Sequence, residues 1–307
     1  MNALKLYTNA YGSLHNYKGV PYWLLTPFRK LIRNVANRVL PKYLTKHCMY
    51  RGKQMKGFII SFTSFPTRIH IVWQVVESLK RQSVLPEKII LWLSKEQFPS
   101  RESIPESLWK EEDKLFEIRM VNGDIRSHKK FYYAMREYAD KAIVTCDDDI
   151  YYHPDMLKIL VYDTKENPNC IIANTTKQIV FDTKGEIEKY SRWNKTFVPY
   201  AKENRVQIGV GGVLYPPHSL HNICLREDLF VKLTPLADDL WLNMVARLNK
   251  TPIVQSSKEI LPLPINVGGP SLKTINAGAE SMNDIQIKNM RAWLIENGYE
   301  DVYCANI

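Results

Sequence analysis

Two groups of adjacent aspartates stand out as residues whose carboxylates could do chemistry. Asp147, Asp148 and Asp149 directly follow the short apolar stretch 142–145, and Asp238 and Asp239 form a second group further along the chain. Adjacent like charges repel, so a chain gains by keeping them together where a cation or hydrogen-bond donors offset the repulsion. Both groups are therefore candidates for binding or catalysis. The ordinary alternatives are a solvated turn for the triplet and a helix cap for the pair.

The triplet is expected at the carboxyl end of a buried strand. Residues 142–145 are largely apolar and β-branched, which predicts a core strand, and ligand sites of open α/β sheets lie at that edge. Successive residues of an extended chain face opposite sides, so Asp147 and Asp149 should point one way and Asp148 the other. Mg²⁺ or Mn²⁺ is the natural counter-charge, because Mg²⁺ binds through one or two carboxylates and completes its shell with water and phosphate oxygens.

The segments around these acids alternate between strand and helix patterns. Strands are predicted at 57–63, 88–93, 116–121, 142–145, 171–173 and 179–181. Helices are predicted at 71–80, 129–138, 156–164, 236–248 and 285–296. This alternation indicates an α/β fold with a largely parallel sheet. The polar stretch 182–204 is expected to form a loop over the active face.

The triplet resembles the Asp-X-Asp motif of glycosyltransferases of the GT-A fold, and the resemblance covers roughly residues 57–290. It implies a Rossmann-like α/β/α sandwich with a mixed, mostly parallel central sheet. It is closest to bacterial transferases that build capsule or other surface polysaccharides. In that class Asp149 would coordinate Mn²⁺ or Mg²⁺ on the donor diphosphate. Asp147 would contact the donor ribose or the metal, and Asp148 would belong to the same donor site.

The pair Asp238 and Asp239 begins a predicted helix, and inverting GT-A enzymes carry an acid pair at a comparable place. There it supplies the catalytic base. An acceptor hydroxyl must lose its proton as it attacks the anomeric carbon, and a carboxylate within hydrogen-bond reach can accept it. The resemblance gives this role to Asp239, with Asp238 as the second candidate. Helix capping is the alternative and can coexist with catalysis.

Further donor-site residues follow from the same resemblance. They are Thr63, Ser64, Arg68, Lys130, Gly211 and Gly212. The first three follow the first strand, where the class holds the base and ribose, and a lysine at a helix start could offset diphosphate charge. The glycines lie in loop 209–217, which permits close backbone approach to a ligand or simply forms a tight turn. Of the histidines near these motifs, His218 is favoured over His153 as a further metal ligand, although a lone histidine is more often structural.

The N-terminal segment, 1–55, differs from the domain expected at 56–307. The first 76 residues hold twelve Lys and Arg and no acid, within a chain of net charge +10. Apolar residues recur at helical spacing between Phe28 and Val39, which predicts a basic amphipathic helix. Such helices bind anionic membranes, so residues 20–50 are expected to contact one. The alternative is packing on the protein's own body or on a partner subunit, which leaves a homo-oligomer open.

Composition excludes several other classes. With 45% hydrophobic and 24% charged residues the chain is an ordinary globular protein. No stretch reaches the ~20 apolar residues that span a bilayer and no signal core is present, so a cytoplasmic protein, peripheral on the inner face of the plasma membrane, is expected. The five cysteines lack the short paired spacing of a zinc site or a disulfide framework. No nucleic-acid partner is expected, because no recognised binding module accompanies the charge.

The sequence thus predicts a metal-dependent inverting glycosyltransferase. UDP is the favoured nucleotide of the donor, galactose in pyranose or furanose form is the favoured sugar, and the acceptor is expected to be a lipid-linked or growing surface polysaccharide. One alternative is a metal-dependent phosphohydrolase or nuclease, which requires further acids from separate strands. The other is a non-catalytic, membrane-associated nucleotide-binding protein.

Overall fold

The computed structural model describes residues 2–14, 21–46, 52–195, 197–267 and 281–304. Its strands are β1 Lys53–Gln54, β2 Phe58–Thr63, β3 Val84–Leu85, β4 Lys88–Ser94, β5 Phe116–Val121, β6 Ala142–Thr145, β7 Ile150–Tyr151, β8 Ile171–Ala173, β9 Thr176–Gln178, β10 Arg205–Gln207, β11 Val213–Tyr215, β12 Ile253–Gln255 and β13 Leu263–Pro264. Its helices are α1 Ala3–Ser13, α2 Tyr22–Leu44, α3 Val72–Lys80, α4 Glu106–Trp109, α5 Lys129–Glu137, α6 Met156–Glu166, α7 Glu227–Leu233, α8 Asp238–Leu248 and α9 Met282–Glu296.

Seven strands form the central sheet, in the order β12-β8-β11-β6-β2-β4-β5. Strands β6, β2, β4 and β5 run parallel, β11 is antiparallel to both of its neighbours, and β12 is parallel to β8. The predicted mixed, mostly parallel sheet is therefore confirmed. The register pairs Thr145 at the end of β6 with Ser61 of β2, so the chain segments that follow these two strands emerge side by side.

Helices cover both faces of the sheet, because alternate residues of each strand face opposite ways. Ile60 and Phe62 of β2 join the core that contains α3 and α6. Ile59 packs on the other face, with Ala134 of α5. A third cluster of buried side chains joins β8 and β11 to α7, α8 and α9. The molecule is therefore the α/β/α sandwich that was expected. The sheet and the ends of its strands are supported by a layer of helices on each face.

The N-terminal segment is helical and partly joins this core. Helix α2 is longer than predicted, and Ala36, Leu40 and Leu44, which are spaced four residues apart on one face, pack in the main core. Phe28 and Leu31 of the predicted apolar stripe are instead exposed. Packing on the protein's own body, the alternative to membrane contact, thus describes the C-terminal half of α2. Residues 20 and 47–50 of the predicted membrane segment lie outside the described residues.

One predicted strand, 179–181, is misplaced. The observed strand β9 ends at Gln178 and pairs with β10 in antiparallel register. Ile179 is buried and its N–H donates to the carbonyl of Asn204. The apolar run 179–181 therefore indicated a buried position that lies beyond the end of the strand.

Within the described parts of the chain, no helix has the length and apolar character needed to cross a membrane.

Candidate functional site

Four segments meet at the carboxyl edge of β2 and β6. Arg68 follows β2, Asp147 follows β6, Gly209 precedes β11 and Asp238 begins α8. Ion pairs and hydrogen bonds connect these segments. Lys130 of α5 contacts both Asp147 after β6 and Asp238 at the start of α8. The structure therefore brings both groups of aspartates into one site, at the sheet edge where the sequence placed the triplet.

Asp148 is the acid that points into the protein. Ser64 Oγ donates to Asp148 Oδ2 at 2.6 Å, and Arg68 Nη1 donates to Oδ1 at 2.8 Å. Burial raises the pKa of Asp148, although the adjacent guanidinium acts in the opposite direction. Both of its oxygens are already bonded. Asp148 and Ser64, which the sequence assigned to donor contact, thus anchor the loop after β6 to the loop after β2.

Asp147 and Asp149 are the partly exposed acids of the triplet, as the alternation of an extended chain predicts. Their side chains retain 30% and 24% of their accessible surface. Asp147 Oδ1 lies 3.0 Å from Lys130 Nζ, and Asp149 Oδ2 lies 2.9 Å from Arg68 Nη1. Burial and the charge of Asp147 raise the pKa of Asp149 to about 6, with Arg68 opposing them. Negative charge therefore remains incompletely compensated at the open edge of the sheet.

The charge balance of the site fits a divalent cation. Five carboxylates, from the triplet and the pair, share the two cations Arg68 and Lys130, so an excess of negative charge remains. Among the described residues no group of three His, Cys, Asp or Glu could hold a metal ion. Mg²⁺ does not require one, because it takes one or two carboxylates and completes its octahedron with water and phosphate. Asp149 and Asp147 could hold such an ion against a bound diphosphate.

His218 lies elsewhere, and its prediction as a metal ligand is wrong. Strand β11 is antiparallel to β6, so the chain beyond Tyr215 emerges at the opposite end of β6 from the triplet. His218 Nε2 lies 3.9 Å from Asp140, which precedes β6, and its side chain is 80% exposed. His153, the other candidate, hydrogen-bonds Asn9 Oδ1 on helix α1.

The two acids of the pair have different surroundings. Asp238 is buried, and its Oδ2 lies 2.9 Å from Lys130 Nζ. Burial would raise the pKa of Asp238, but Lys130 beside it holds that pKa below its ordinary value. Asp239 is partly exposed, and its two carboxylate oxygens accept from the N–H of Gly209 at 3.1 and 3.0 Å. Burial and the neighbouring Asp238 raise the pKa of Asp239 to about 7.

Helix capping does not account for the pair. The N-cap of α8 is Ala237, and no side chain caps this end of the helix. Asp238 and Asp239 occupy the first turn, where the helix dipole favours negative charge, but their carboxylates are directed to Lys130 and to Gly209. The pair therefore faces the triplet instead of closing its own helix.

The glycine of loop 209–217 that touches the charged groups is Gly209. A Cβ on Gly209 would lie 3.1 Å from Asp239 Oδ1, 3.1 Å from Lys130 Nζ and 3.4 Å from Asp147 Oδ1. Gly211 and Gly212, the predicted donor contacts, lie against side chains of the protein itself. A Cβ on Gly211 would be 2.7 Å from Thr175 Oγ1, and Gly212 has a φ of +89° beside Met156.

Two further residues refine the site. Gln207, which the sequence did not single out, donates through Nε2 to the carbonyl of Asp239 at 3.0 Å and so fixes the start of α8. Its position two residues before Gly209 was the available signal. Thr63 was predicted to hold the donor, but its Oγ1 donates to the carbonyl of Trp92 at 2.8 Å, so its hydroxyl proton is used between strands.

Comparison with known proteins gave matches among solved structures. No protein-family model matches the chain, and a search of curated proteins gave no match. Similar solved structures include S. aureus TarS 1–349 in complex with UDP-GlcNAc, with 15% identity over 82% of this chain and 69% of that one, at a TM-score of 0.47. CMP:2-keto-3-deoxy-manno-octonic acid synthetase complexed with CTP is 10% identical over 80% of this chain and 100% of that one, at a TM-score of 0.40. 4-Diphosphocytidyl-2C-methyl-D-erythritol synthase is 10% identical over 73% of this chain and 97% of that one, at a TM-score of 0.39.

Proposed function

We propose that this protein is a metal-dependent, inverting glycosyltransferase that uses a nucleotide sugar. The observation that carries the proposal is the position of Gly209. A Cβ placed on this glycine would lie 3.4 Å from Asp147 Oδ1 and 3.1 Å from Asp239 Oδ1, so both carboxylates border the same point. The acid proposed to bind the donor and a carboxylate whose pKa is raised to about 7 thus border the same small space. A transferase needs these two functions side by side.

Asp239 is proposed to act as the base. The acceptor hydroxyl oxygen forms a bond to the anomeric carbon as the bond from that carbon to the diphosphate oxygen breaks, and the electron pair leaves with the diphosphate. The hydroxyl proton passes to Asp239. A base with a pKa near the working pH combines the correct protonation state with sufficient driving force. Gly209 N–H holds both oxygens of this carboxylate, which orients it. Attack opposite the leaving group inverts the configuration.

Asp149 and Asp147 are the proposed ligands of a Mn²⁺ or Mg²⁺ ion. When bound, such an ion offsets the charge that develops on the leaving diphosphate. Arg68 holds Asp149 at 2.9 Å and also contacts Asp148, so one guanidinium fixes two acids of the triplet. Arg68 and Lys130 themselves bring positive charge to the edge where a diphosphate would lie. UDP, and galactose as pyranose or furanose, remain our proposals for the donor.

The exposed half of α2 supports an acceptor at a membrane surface. Trp23, Phe28 and Leu31 are 70%, 59% and 59% exposed, and α2 contains basic residues but no acid. Large apolar side chains on a basic helix suit the boundary between headgroups and acyl chains of an anionic bilayer. We therefore propose a lipid-linked or growing surface polysaccharide as the acceptor, with the protein peripheral on the inner face of the plasma membrane.

A donor screen tests the transferase proposal. The full chain is heated with a panel of nucleoside diphosphates and nucleotide sugars, with Mn²⁺ or with a chelator, and the melting temperature is recorded. Binding to the native state raises the melting temperature. At a free ligand concentration of 100 Kd, the free energy of unfolding increases by about 2.7 kcal/mol. We expect a nucleotide sugar to stabilise the protein in a Mn²⁺-dependent way. Stabilisation by none of them would contradict the proposal. In a product assay of the same mixtures, phosphate release without sugar transfer would favour the phosphohydrolase alternative.

Vesicle flotation tests the membrane proposal. A variant with Trp23, Phe28 and Leu31 changed to serine is compared with a control that carries serine at Tyr162 and Val231, which are exposed apolar residues on α6 and α7. We expect the first variant to lose binding to phosphatidylglycerol vesicles and the control to retain it. Equal flotation of the two variants would show that α2 does not make the membrane contact.

A further inference from the structure

We propose that Lys130 is a positioning residue that ties Asp147 of the donor site to Asp238 and thereby leaves Asp239 as the carboxylate that receives the acceptor's proton. The inference rests on the proposed transfer reaction and names the residue that organises its two acid groups. Its basis is the position of the Lys130 ammonium between elements that are far apart in sequence.

The backbone of Lys130 is fixed to the centre of the sheet. Its carbonyl accepts a hydrogen bond from Ser61 Oγ of β2, and that hydroxyl in turn accepts from Trp92 Nε1 of β4 at 2.8 Å. The side chain is buried. Lys130 therefore projects from a fixed point at the start of α5, beside β2, which pairs with the strand that precedes the triplet.

The ammonium group contacts one acid from each group. Lys130 Nζ lies 3.0 Å from Asp147 Oδ1 and 2.9 Å from Asp238 Oδ2. A Cβ on Gly209 would lie 3.1 Å from the same nitrogen, closer than an ordinary van der Waals contact, so the ammonium packs directly against this glycine. The end of β6, the turn before β11 and the start of α8 thus converge on a single buried positive charge.

This arrangement treats the two acids of α8 unequally. Asp238 has the ammonium as its counter-ion, whereas Asp239 is held by a backbone N–H. Without Lys130, Asp147, Asp238 and Asp239 would be three neighbouring acids with no shared cation, and breaking one half of a buried ion pair leaves an uncompensated charge. Lys130 therefore keeps Asp238 ionised and in place, which leaves proton transfer to Asp239.

Other groups near Asp239 do not supply this asymmetry. The titratable groups that act on it or flank its partners are Asp147, Lys130, His128, Tyr190, Tyr215 and Asp238. Burial raises the pKa of Tyr190 and Tyr215, so both phenols are neutral near pH 7. Burial lowers the pKa of His128 to about 4, so this imidazole is also neutral there. Within the part of the chain that the structure describes, the cation that acts on both acids of the pair is Lys130.

The test compares two adjacent lysines. Lys130→Met removes the bridging ammonium, while the matched control Lys129→Met removes a neighbouring buried ammonium that pairs with Asp124, away from the site. An opposite charge a few ångströms away lowers a carboxylate pKa by about 1–3 units. We therefore expect Lys130→Met to move the acid limb of the kcat profile up by about 1–3 pH units, and Lys129→Met to leave it in place. Lys130→Arg, which retains the charge, should keep the limb near its original pH.

Contrary outcomes are distinct. If Lys130→Met raises the donor KM and leaves the acid limb unmoved, Lys130 is only a diphosphate ligand and the inference fails. If that variant does not fold, Asp238→Asn replaces it, and removal of the like charge should then lower the limb. An Asp238→Asn enzyme as inactive as Asp239→Asn would also overturn the inference, because Asp238 would then be needed for the chemistry itself.

A titration without turnover separates this inference from the proposed function. Aspartate carboxyls are labelled with ¹³C, the Asp239 signal is assigned by its loss in Asp239→Asn, and its pKa is measured in the wild-type protein and in Lys130→Met. An upward shift in a protein that transfers no sugar would retain the coupling and reject the transferase. Sugar transfer with an unshifted Asp239 signal would retain the transferase and reject the coupling.

Discussion

The triplet after β6 and the pair at the start of α8 contain the same side chain, and they differ in how their charges are compensated. Asp148 and Asp149 share Arg68 at 2.8 and 2.9 Å, and Asp147 contacts Lys130 at 3.0 Å. In the pair, Lys130 contacts Asp238, whereas Asp239 accepts from a backbone N–H. Each acid of the triplet therefore contacts a cation, and the pair divides into one acid that does and one held by the backbone.

The placement of cations, more than the identity of the residues, separates binding from proton transfer. A carboxylate beside a cation is stabilised in its ionised form and can hold a metal ion or a loop. A partly buried carboxylate beside another acid takes up a proton closer to neutral pH, as Asp239 does with a pKa raised to about 7. Pairs of acids whose environments separate their pKa values are the usual basis of acid and base roles.

The largest expected effect comes from removing the base. Asp239→Asn preserves the shape of the side chain but cannot accept the proton, and a positioned general base contributes about 10²–10⁴-fold. We expect kcat to fall by about that factor, while the donor KM changes little because the triplet is untouched. Steady-state kinetics measure both quantities. A variant that keeps near-normal kcat would remove the distinction between the two groups.

The next effect concerns stability, through the guanidinium that serves the triplet. Arg68→Met leaves Asp148 buried without its cation, and breaking a buried pair costs about 3–5 kcal/mol. Urea unfolding should show a loss of that size. Arg226→Met is the matched control, because its partner Asp228 and Arg226 itself are largely exposed, so no measurable change is expected. Similar results for the two variants would mean that the triplet is as solvated as a surface pair.

The sequence predicted the parts of this site that depend on neighbours along the chain. A short β-branched run predicted β6 and the place of Asp147, and the period of two predicted that Asp148 would face away from Asp149. The acids at the start of α8 were found in the same way. Local pattern was sufficient because strand ends and helix starts are set by adjacent residues.

The sequence did not predict contacts that depend on how distant segments pack. Lys130 was assigned to a diphosphate, but in the structure it contacts Asp238, on a helix that packs against β10. His218 was placed at the metal because it follows the glycine loop, yet the antiparallel direction of β11 carries it to the far end of the sheet. Strand direction and interhelical contacts are properties of the assembled fold.

A smaller effect is expected from Asp149→Asn, which tests the binding side of the comparison. Loss of one metal ligand should raise the Kd of a Mn²⁺-bound nucleoside diphosphate by about tenfold or more, equivalent to about 1.4 kcal/mol. Isothermal titration with UDP and Mn²⁺ measures it. Asp140→Asn, an exposed acid at the opposite end of β6, serves as the control and should bind normally. An unchanged Kd in both variants would exclude the triplet from donor binding.

The smallest expected effect is the dependence of stability on pH that Asp239 contributes. Its pKa is about 7 in the folded protein and lower when exposed in the unfolded chain, so the unfolded state releases this proton first and folding is weakened as pH rises toward and through 7. Asp239→Asn removes that penalty. Because 1 kcal/mol corresponds to about 2–4 °C for a chain of 150–250 residues, the variant should melt a few degrees above wild type at pH 8, with the gap narrowing toward pH 5. Asp228→Asn, whose acid has a lowered pKa beside Arg226, should show no such gain at pH 8. A gap that is constant with pH would mean that the protonation of Asp239 does not change between pH 5 and pH 8.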